Sequence, residues 1–129
     1  MLLVCPLTQD AVPDLADRAA RAAVLLSAQP GCRWVEVGRS VDEPREWVLV
    51  ARFESVPAYR RALSPFDVRE HVVPLLSLVG QGERTGALPA TYETLLEAVD
   101  GTLREHPSDR AEAPGADGPG GIGSTPGPR

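Results

Sequence analysis

The chain of 129 residues lacks lysine altogether: its thirteen basic residues are all arginine, against eighteen acidic residues. The net charge of −5 argues against binding to nucleic acid or to an anionic membrane through long-range electrostatics. The sequence has only two cysteines, Cys5 and Cys32, which excludes a disulfide framework and a paired-cysteine zinc site. Its apolar runs are far shorter than the roughly 20 residues of a membrane-spanning helix.

The beginning of the chain lacks the features of a secretory signal. Residues Met1 to Val4 are apolar, but no basic region precedes them and Pro6 interrupts the run. We therefore expect a soluble, cytoplasmic protein. Sequence motifs for nucleotide binding, zinc-dependent hydrolysis and serine hydrolase chemistry are missing, and the carboxylates of Glu93 and Glu97 alone do not make a metal site.

The last thirty residues differ from the rest in composition. Residues 100–129 contain seven glycines and five prolines, and Leu103 and Ile122 are their only large aliphatic side chains. Such a segment buries too little apolar surface to offset its conformational entropy. The sequence thus predicts a folded domain over residues 1–99 and a disordered, Gly/Pro-rich tail over residues 100–129. A domain this small is marginally stable alone, and association of copies is a common remedy.

The clearest helical pattern lies in the first third of the chain. Apolar residues spaced by three and four positions predict a helix between Val12 and Leu26. Asp10 is the expected N-cap, Pro13 fits the first turn, and Pro30–Gly31 marks the end of the helix.

Two alternating segments, residues 32–39 and 46–53, predict a β-hairpin whose loop is longer than the tight two-residue type. The second segment is apolar on both sides, since Leu49 points one way and Val50 the other. A strand that is apolar on both faces has to be covered on both faces. We expect the helices of the same chain on one side and a second copy of the sheet on the other.

A second helical region is predicted to begin at the N-cap Ser55, to restart at Ser64–Pro65 and to end at Pro74. The sequence of residues 90–98 is compatible with a strand or with a helical turn. The position of this segment in the order of predicted elements favours a strand. Counted from a first strand at Met1 to Cys5, the order is β-α-β-β-α-β. This order predicts an α+β fold of the ferredoxin-like class, with one antiparallel sheet and both helices on one of its faces.

A series of short motifs then runs from the hairpin to the end of the predicted domain. They are Gly38-Arg39-Ser40, Asp42-x-Pro44, Trp47, Glu54-Ser55-Val56, Tyr59-Arg60-Arg61-Ala62-Leu63, Asp67-Val68, Pro74-Leu75-Leu76 and Tyr92-Glu93. Together they resemble actinobacterial members of the antibiotic biosynthesis monooxygenase (ABM) family. The resemblance covers residues 1–98 and leaves the tail outside.

This resemblance implies a homodimer whose two sheets pack face to face into an α+β barrel, with a pocket in each protomer between its sheet and its helices. Characterised members of the family oxidise polycyclic aromatic polyketides with O2 and use neither metal nor flavin. The implied function is a cofactor-independent monooxygenase acting on an aromatic or enolic small molecule in secondary metabolism. A non-catalytic dimer that binds a small molecule or assists another enzyme is the alternative.

A haem-degrading monooxygenase is the third alternative that the family implies. Haem-degrading relatives carry the iron-binding histidine four residues after a phenylalanine at the start of a helix. Here His71 follows Phe66 by five residues, which rotates the side chain by about 100° around a helix. We therefore rank this function last and predict no cofactor.

The chemistry that the resemblance implies requires an apolar cavity, a base, and a hydrogen-bond donor for the developing anion. His71 is the candidate catalytic base, because histidine ordinarily titrates near neutral pH. Its alternative is a surface histidine beside Glu70. Tyr59 is the candidate catalytic donor, and its alternative is a core ring with the hydroxyl at the surface.

Substrate binding is predicted to depend on aromatic rings, which are few in this sequence. The candidate rings are Trp34, Trp47, Phe53 and Phe66. Each of them would serve equally in a core or in a dimer interface. Arg52 is the candidate contact for a substrate anion, because a strand arginine in a buried sheet needs an anionic partner. The alternative is an ion pair with a residue of the protein such as Glu36.

Overall fold

The computed structural model describes residues 1–78 and 89–107. Within them the elements follow in the order β1 (Leu2–Thr8), α1 (Leu15–Ser27), β2 (Cys32–Arg39), β3 (Glu46–Phe53), α2 (Val56–Ala62), α3 (Phe66–His71), α4 (Val73–Ser77), β4 (Ala90–Tyr92), β5 (Leu96–Val99) and β6 (Thr102–Glu105). None of the helices in these residues is long and apolar enough to cross a membrane.

The first four strands form one antiparallel sheet in the order β2-β3-β1-β4. Strands that are not consecutive in the sequence, such as β1 and β3, lie side by side in the sheet. This strand order confirms the predicted α+β, ferredoxin-like fold. Because β3 separates β1 from β2, the cysteines of those strands are not neighbours, and both thiols are free.

The two faces of the sheet differ in their surroundings, because side chains alternate along each strand. The inner face is covered by the helices and is fully buried at its centre. Its side chains include Leu3, Cys5, Leu7, Trp47, Leu49, Ala51 and Phe53. The outer face, on the opposite side of the sheet, is partly exposed to solvent. Its side chains include Leu2, Val4, Pro6, Trp34, Val48, Val50, Arg52 and Tyr92.

Helix α1 packs on the inner face through the apolar stripe that the sequence predicts, and Leu15, Ala19, Ala22 and Leu26 are its buried residues. The predicted N-cap Asp10 is wrong, because the helix begins only at Leu15. A turn precedes it: the backbone N–H groups of residues 11 and 12 donate to the carbonyl of Thr8, and the cap position is taken by Asp14. The Asp10 carboxylate instead pairs with Arg45 in the β2–β3 loop.

Gly31 forms the tight turn after α1, as Pro30–Gly31 predicted. Its φ of +86° lies in the left-handed region that side chains with a Cβ avoid. Its carbonyl accepts a hydrogen bond from the backbone N–H of Glu54 at 2.8 Å. A Cβ at this position would lie 2.8 Å from the Cβ of Ala58, so the turn approaches α2 closely.

The helical region after β3 begins as predicted, since the Ser55 hydroxyl accepts a hydrogen bond from the backbone N–H of Ala58 at 3.1 Å. The prediction that Pro74 ends this region is wrong. Pro74 lies in the first turn of α4, where a backbone N–H has no acceptor within the helix and the missing donor costs nothing.

The end of the chain differs most from the sequence prediction. Residues 90–98 contain a strand, as favoured, but β4 is short and is followed by a separate β5–β6 hairpin. Asp100 and Gly101 have φ values of 53° and 78°, which is the two-residue turn that suits a right-twisted hairpin. The folded part thus continues past the predicted boundary at Val99. Residues 108–129 of the predicted tail lie outside the described residues.

Candidate functional site

An aromatic pair lies between the inner face of the sheet and the helices. Tyr59 on α2 packs edge-on against Phe53 on β3, with ring centroids 5.4 Å apart and an angle of 65° between the planes. Phe53 is fully buried, whereas Tyr59 is half-buried. The helix start at Ser55 fixes the position of this pair, because it sets which side chains of α2 point at β3.

The electrostatic surroundings keep the Tyr59 phenol protonated. Burial raises the pKa of Tyr59, and the neighbouring Cys5 raises it further. Burial also raises the pKa of the Cys5 thiol, to about 12. Both groups are therefore neutral near pH 7, so Tyr59 can donate a hydrogen bond to a developing anion, while Cys5 is not a nucleophile.

Trp47 shares the inner face with Phe53, because the two residues are separated by an even number of positions on β3. Its ring packs against the core. The indole Nε1 is buried and has no hydrogen-bond partner among the described residues. A buried donor without an acceptor costs about 1–3 kcal/mol, which makes this nitrogen a rare unsatisfied group in an otherwise apolar layer.

Two of the predicted substrate contacts lie on the other side of the sheet. Arg52 and Trp34 are directly opposite one another in the β2–β3 register, on the outer face. Nη1 of Arg52 lies 3.1 Å from Oε2 of Glu97. The ion pair that the sequence offered as an alternative is therefore present, with Glu97 rather than Glu36 as the partner.

The remaining two candidates belong to α3. Phe66 opens the helix and is 67% exposed. His71 closes it, and its Nε2 lies 3.7 Å from Oε1 of the neighbouring Glu70. Within residues 1–78 and 89–107, neither makes a ring contact or hydrogen bond with Phe53 or Tyr59. The structure thus brings Tyr59 together with Phe53 and places Trp47 six residues away along the same face of β3. Trp34 and Arg52 lie on the opposite face of the sheet.

One histidine was missed by the sequence analysis because it was assigned to the tail. Nε2 of His106 lies 3.0 Å from Oε1 of Glu97, the same carboxylate that pairs with Arg52. The Asp100–Gly101 dipeptide, a strong hairpin signal, would have placed this histidine in the folded part. In the part of the chain that the structure describes, no group of three or more His, Cys, Asp or Glu side chains is placed to hold a metal ion.

Comparison with known proteins identifies relatives of this fold. Residues 6–71 match the model of a family described as antibiotic biosynthesis monooxygenase. The chain is 26% identical to SnoaB, a cofactor-independent oxygenase from Streptomyces nogalater, over 59% of this chain and 79% of SnoaB, with a TM-score of 0.52. No curated protein sequence matches it.

The structure of Rv0793 from Mycobacterium tuberculosis supports the fold alone. It is 20% identical, covers 76% of this chain and 97% of its own, and superposes with a TM-score of 0.59. The family match runs from the second half of β1 to the end of α3. It includes β2 and β3 of the sheet and helix α2, which carry Trp47, Phe53 and Tyr59. The chain belongs to the antibiotic biosynthesis monooxygenase family.

Proposed function

We propose that the protein is a cofactor-independent monooxygenase that oxidises an aromatic or enolic, polyketide-like small molecule in secondary metabolism. The observation that carries this proposal is the likeness to SnoaB, which is described as a cofactor-independent oxygenase and shares both fold and 26% of aligned residues. The Phe53–Tyr59 pair supports it, because it combines an apolar ring surface with a protonated phenol that can donate to a developing anion.

The reaction balances with O2 as the only co-reactant. The substrate loses a proton from an acidic carbon or hydroxyl, and the resulting anion passes electrons to O2. One oxygen atom becomes a new carbonyl of the product, and the other leaves as water with the two hydrogens removed from the substrate carbon. The protein's part is to bind the anion in a water-poor site and to stabilise its charge.

Tyr59 is the proposed donor to the substrate oxygen, since its raised pKa keeps the phenol protonated. Phe53 and Trp47 supply ring surfaces, and the Trp47 indole N–H is a second donor that has no acceptor within the described part of the chain. His71 remains the proposed base. On the outer face, Arg52 is assigned to its ion pair with Glu97, and Trp34 to subunit packing.

A turnover assay tests this function. Chelator-treated protein without added cofactor is mixed with an anthrone in air, and quinone formation is followed by absorbance. We expect an initial rate at least about 10-fold above the rate with heat-denatured protein at the same concentration, since a positioned acid or base alone contributes about 100-fold or more. Quinone formation at the uncatalysed rate would contradict the proposal.

A non-catalytic binding or accessory dimer is the second candidate, and the packing of the inner face favours it. Cys5, Leu49 and Val68 are completely buried in the same core cluster as Phe53. Among the described residues, no histidine or carboxylate hydrogen-bonds Tyr59. Saturable quenching of tryptophan fluorescence by the anthrone, together with no turnover, would support this candidate over the enzyme.

The homodimer is proposed from the state of the outer face. Val4, Val48 and Val50 keep partial exposure there, and Trp34 is 40% exposed. A contiguous apolar face of this kind marks an interaction surface, and a second copy of the same sheet is its proposed cover.

Sedimentation at micromolar concentration is expected to show a particle of twice the 13.7 kDa chain mass. Val50→Glu should shift it to the single chain, because an unpaired carboxylate would be buried. Val41→Glu is the matched control, since Val41 is 94% exposed in a loop, and it should remain dimeric. Circular dichroism checks that both variants are folded. A single-chain particle for the unmodified protein would disprove the dimer.

A further inference from the structure

A cluster of charged side chains joins the β5–β6 hairpin to the outer face of the sheet. Oε2 of Glu97, on β5, lies 3.1 Å from Nη1 of Arg52 on β3. The other oxygen, Oε1, lies 3.0 Å from Nε2 of His106 and 3.8 Å from Nη1 of Arg104. One carboxylate therefore connects the hairpin strands, the residue that follows them and a central strand of the sheet.

The cluster is partly withdrawn from water. The side chain of Arg52 is 11% exposed, that of Glu97 20% and that of His106 24%, whereas Arg104 is 70% exposed and contributes little. Nε of Arg52 is already buried without a partner among the described residues, so its guanidinium depends on Glu97 for an anion. Removing the carboxylate would leave a charge buried and unpaired, which costs more than losing an exposed ion pair.

The hairpin has few other attachments in the described residues. Both of its strands have four residues, and an isolated two-stranded hairpin is marginal in water. Its large apolar side chains are exposed: Leu96 and Leu103 are each 62% exposed, and Val99 is 56% exposed. Just before β5, the Thr94 hydroxyl accepts a hydrogen bond from the Met1 amine at 2.9 Å. The Glu97 cluster is thus the hairpin's own link to the sheet.

We propose that Arg52, Glu97 and His106 form an acid-sensitive clasp that holds the β5–β6 hairpin against the outer face of the sheet. The groups that face Glu97 are the guanidinium of Arg52 from β3, the guanidinium of Arg104 from β6 and the imidazole of His106 after β6. When Glu97 is ionised, these groups hold it and the hairpin is closed. Protonation of Glu97 removes the attraction, so the hairpin detaches while the sheet and helices stay folded.

The direction of the pH effect follows from the surroundings of Glu97. The hydrogen bond with His106 lowers the pKa of Glu97 most, and Arg52 and Arg104 lower it further, against the opposing effect of burial. Because the folded-state pKa lies below the unfolded value of about 4.3, the clasp stabilises the closed hairpin at higher pH. Its contribution is lost as the pH falls through the lowered value.

Hydrogen–deuterium exchange on the full chain tests the clasp. In the Glu97→Gln variant near neutral pH, we expect the protection factors of β5 and β6 amides to fall at least about 10-fold, as for a lost hydrogen bond to a charged group. Amides of α1 should keep their protection. Glu105→Gln is the matched control, because Glu105 is an exposed glutamate on the same hairpin, and it should change nothing.

Acid provides the second arm of the experiment. As the pH falls through the lowered pKa of Glu97, hairpin protection in the unmodified chain should fall relative to α1. In Glu97→Gln it should already be low and should not change further. Unchanged hairpin protection in Glu97→Gln would overturn the proposal. So would an equal loss in Glu105→Gln, or a loss that the hairpin and α1 share, because the hairpin would then open only with the whole domain.

Discussion

Replacing Gly31 with alanine is expected to destabilise the fold by about 3 kcal/mol. The left-handed backbone at this position, with φ of +86°, costs about 1–2 kcal/mol for a residue that has a Cβ. The new methyl group would also lie 2.8 Å from the Cβ of Ala58, so the turn before β2 and helix α2 must move apart. Urea unfolding at fixed protein concentration measures the change in free energy of unfolding.

Gly101→Ala separates these two contributions. Gly101 has a similar φ of +78°, but a Cβ there would meet nothing within 4 Å. We therefore expect a loss of about 1 kcal/mol, from the backbone alone. Equal losses of unfolding free energy in the two variants would show that the close approach of Gly31 to Ala58 adds nothing to the cost of the substitution. The description of how the turn packs on α2 would then be wrong.

Replacing Tyr59 with phenylalanine is expected to lower kcat about 100-fold while leaving the unfolding midpoint nearly unchanged. The ring and its edge-on contact with Phe53 are retained, so the packing is preserved. The hydroxyl is lost, and with it the proposed donor to the substrate anion. Initial rates of quinone formation at saturating anthrone measure the effect on kcat, and urea unfolding measures the effect on stability.

Tyr92→Phe is the control, because Tyr92 is the only other tyrosine and is 55% exposed on the short strand β4. Its rate should match that of the unmodified protein. If Tyr59→Phe also keeps its rate within about twofold, far less than the loss expected for a missing donor, Tyr59 is not the group that stabilises the transition state. The next candidate on the inner face for donating a hydrogen bond to the substrate anion would then be the Trp47 indole N–H.

The local patterns of the sequence predicted the sheet and the first helix well, because their physical causes lie within a few residues. Periods of two and of three to four positions identified β3 and the buried stripe of α1. The Ser55 cap was also readable, since its acceptor and donor are three residues apart. The Asp10 cap failed because a turn closed on the Thr8 carbonyl precedes α1, which begins only at Leu15. The sequence is compatible with either start.

The arrangement of the site was less predictable, because it depends on contacts between distant residues. Arg52 and Glu97 are 45 positions apart in the sequence, and nothing near Arg52 indicates which carboxylate it meets. Strand alternation does separate Trp47 and Phe53 from Arg52, so the division between inner and outer faces could have been deduced. The Gly- and Pro-rich composition of residues 100–129 concealed the hairpin turn at Asp100–Gly101, because that turn is a local signal of only two residues.

The central claim, oxygenation without a cofactor, is tested most directly by isotopically labelled O2. Chelator-treated protein is supplied with an anthrone in labelled O2 and ordinary water, and the product is analysed by mass spectrometry under conditions where carbonyl exchange with water is measured separately. We expect one labelled oxygen in each new carbonyl, formed at a rate that depends on native protein. An unlabelled carbonyl, or a labelled one formed equally fast without the protein, would contradict it.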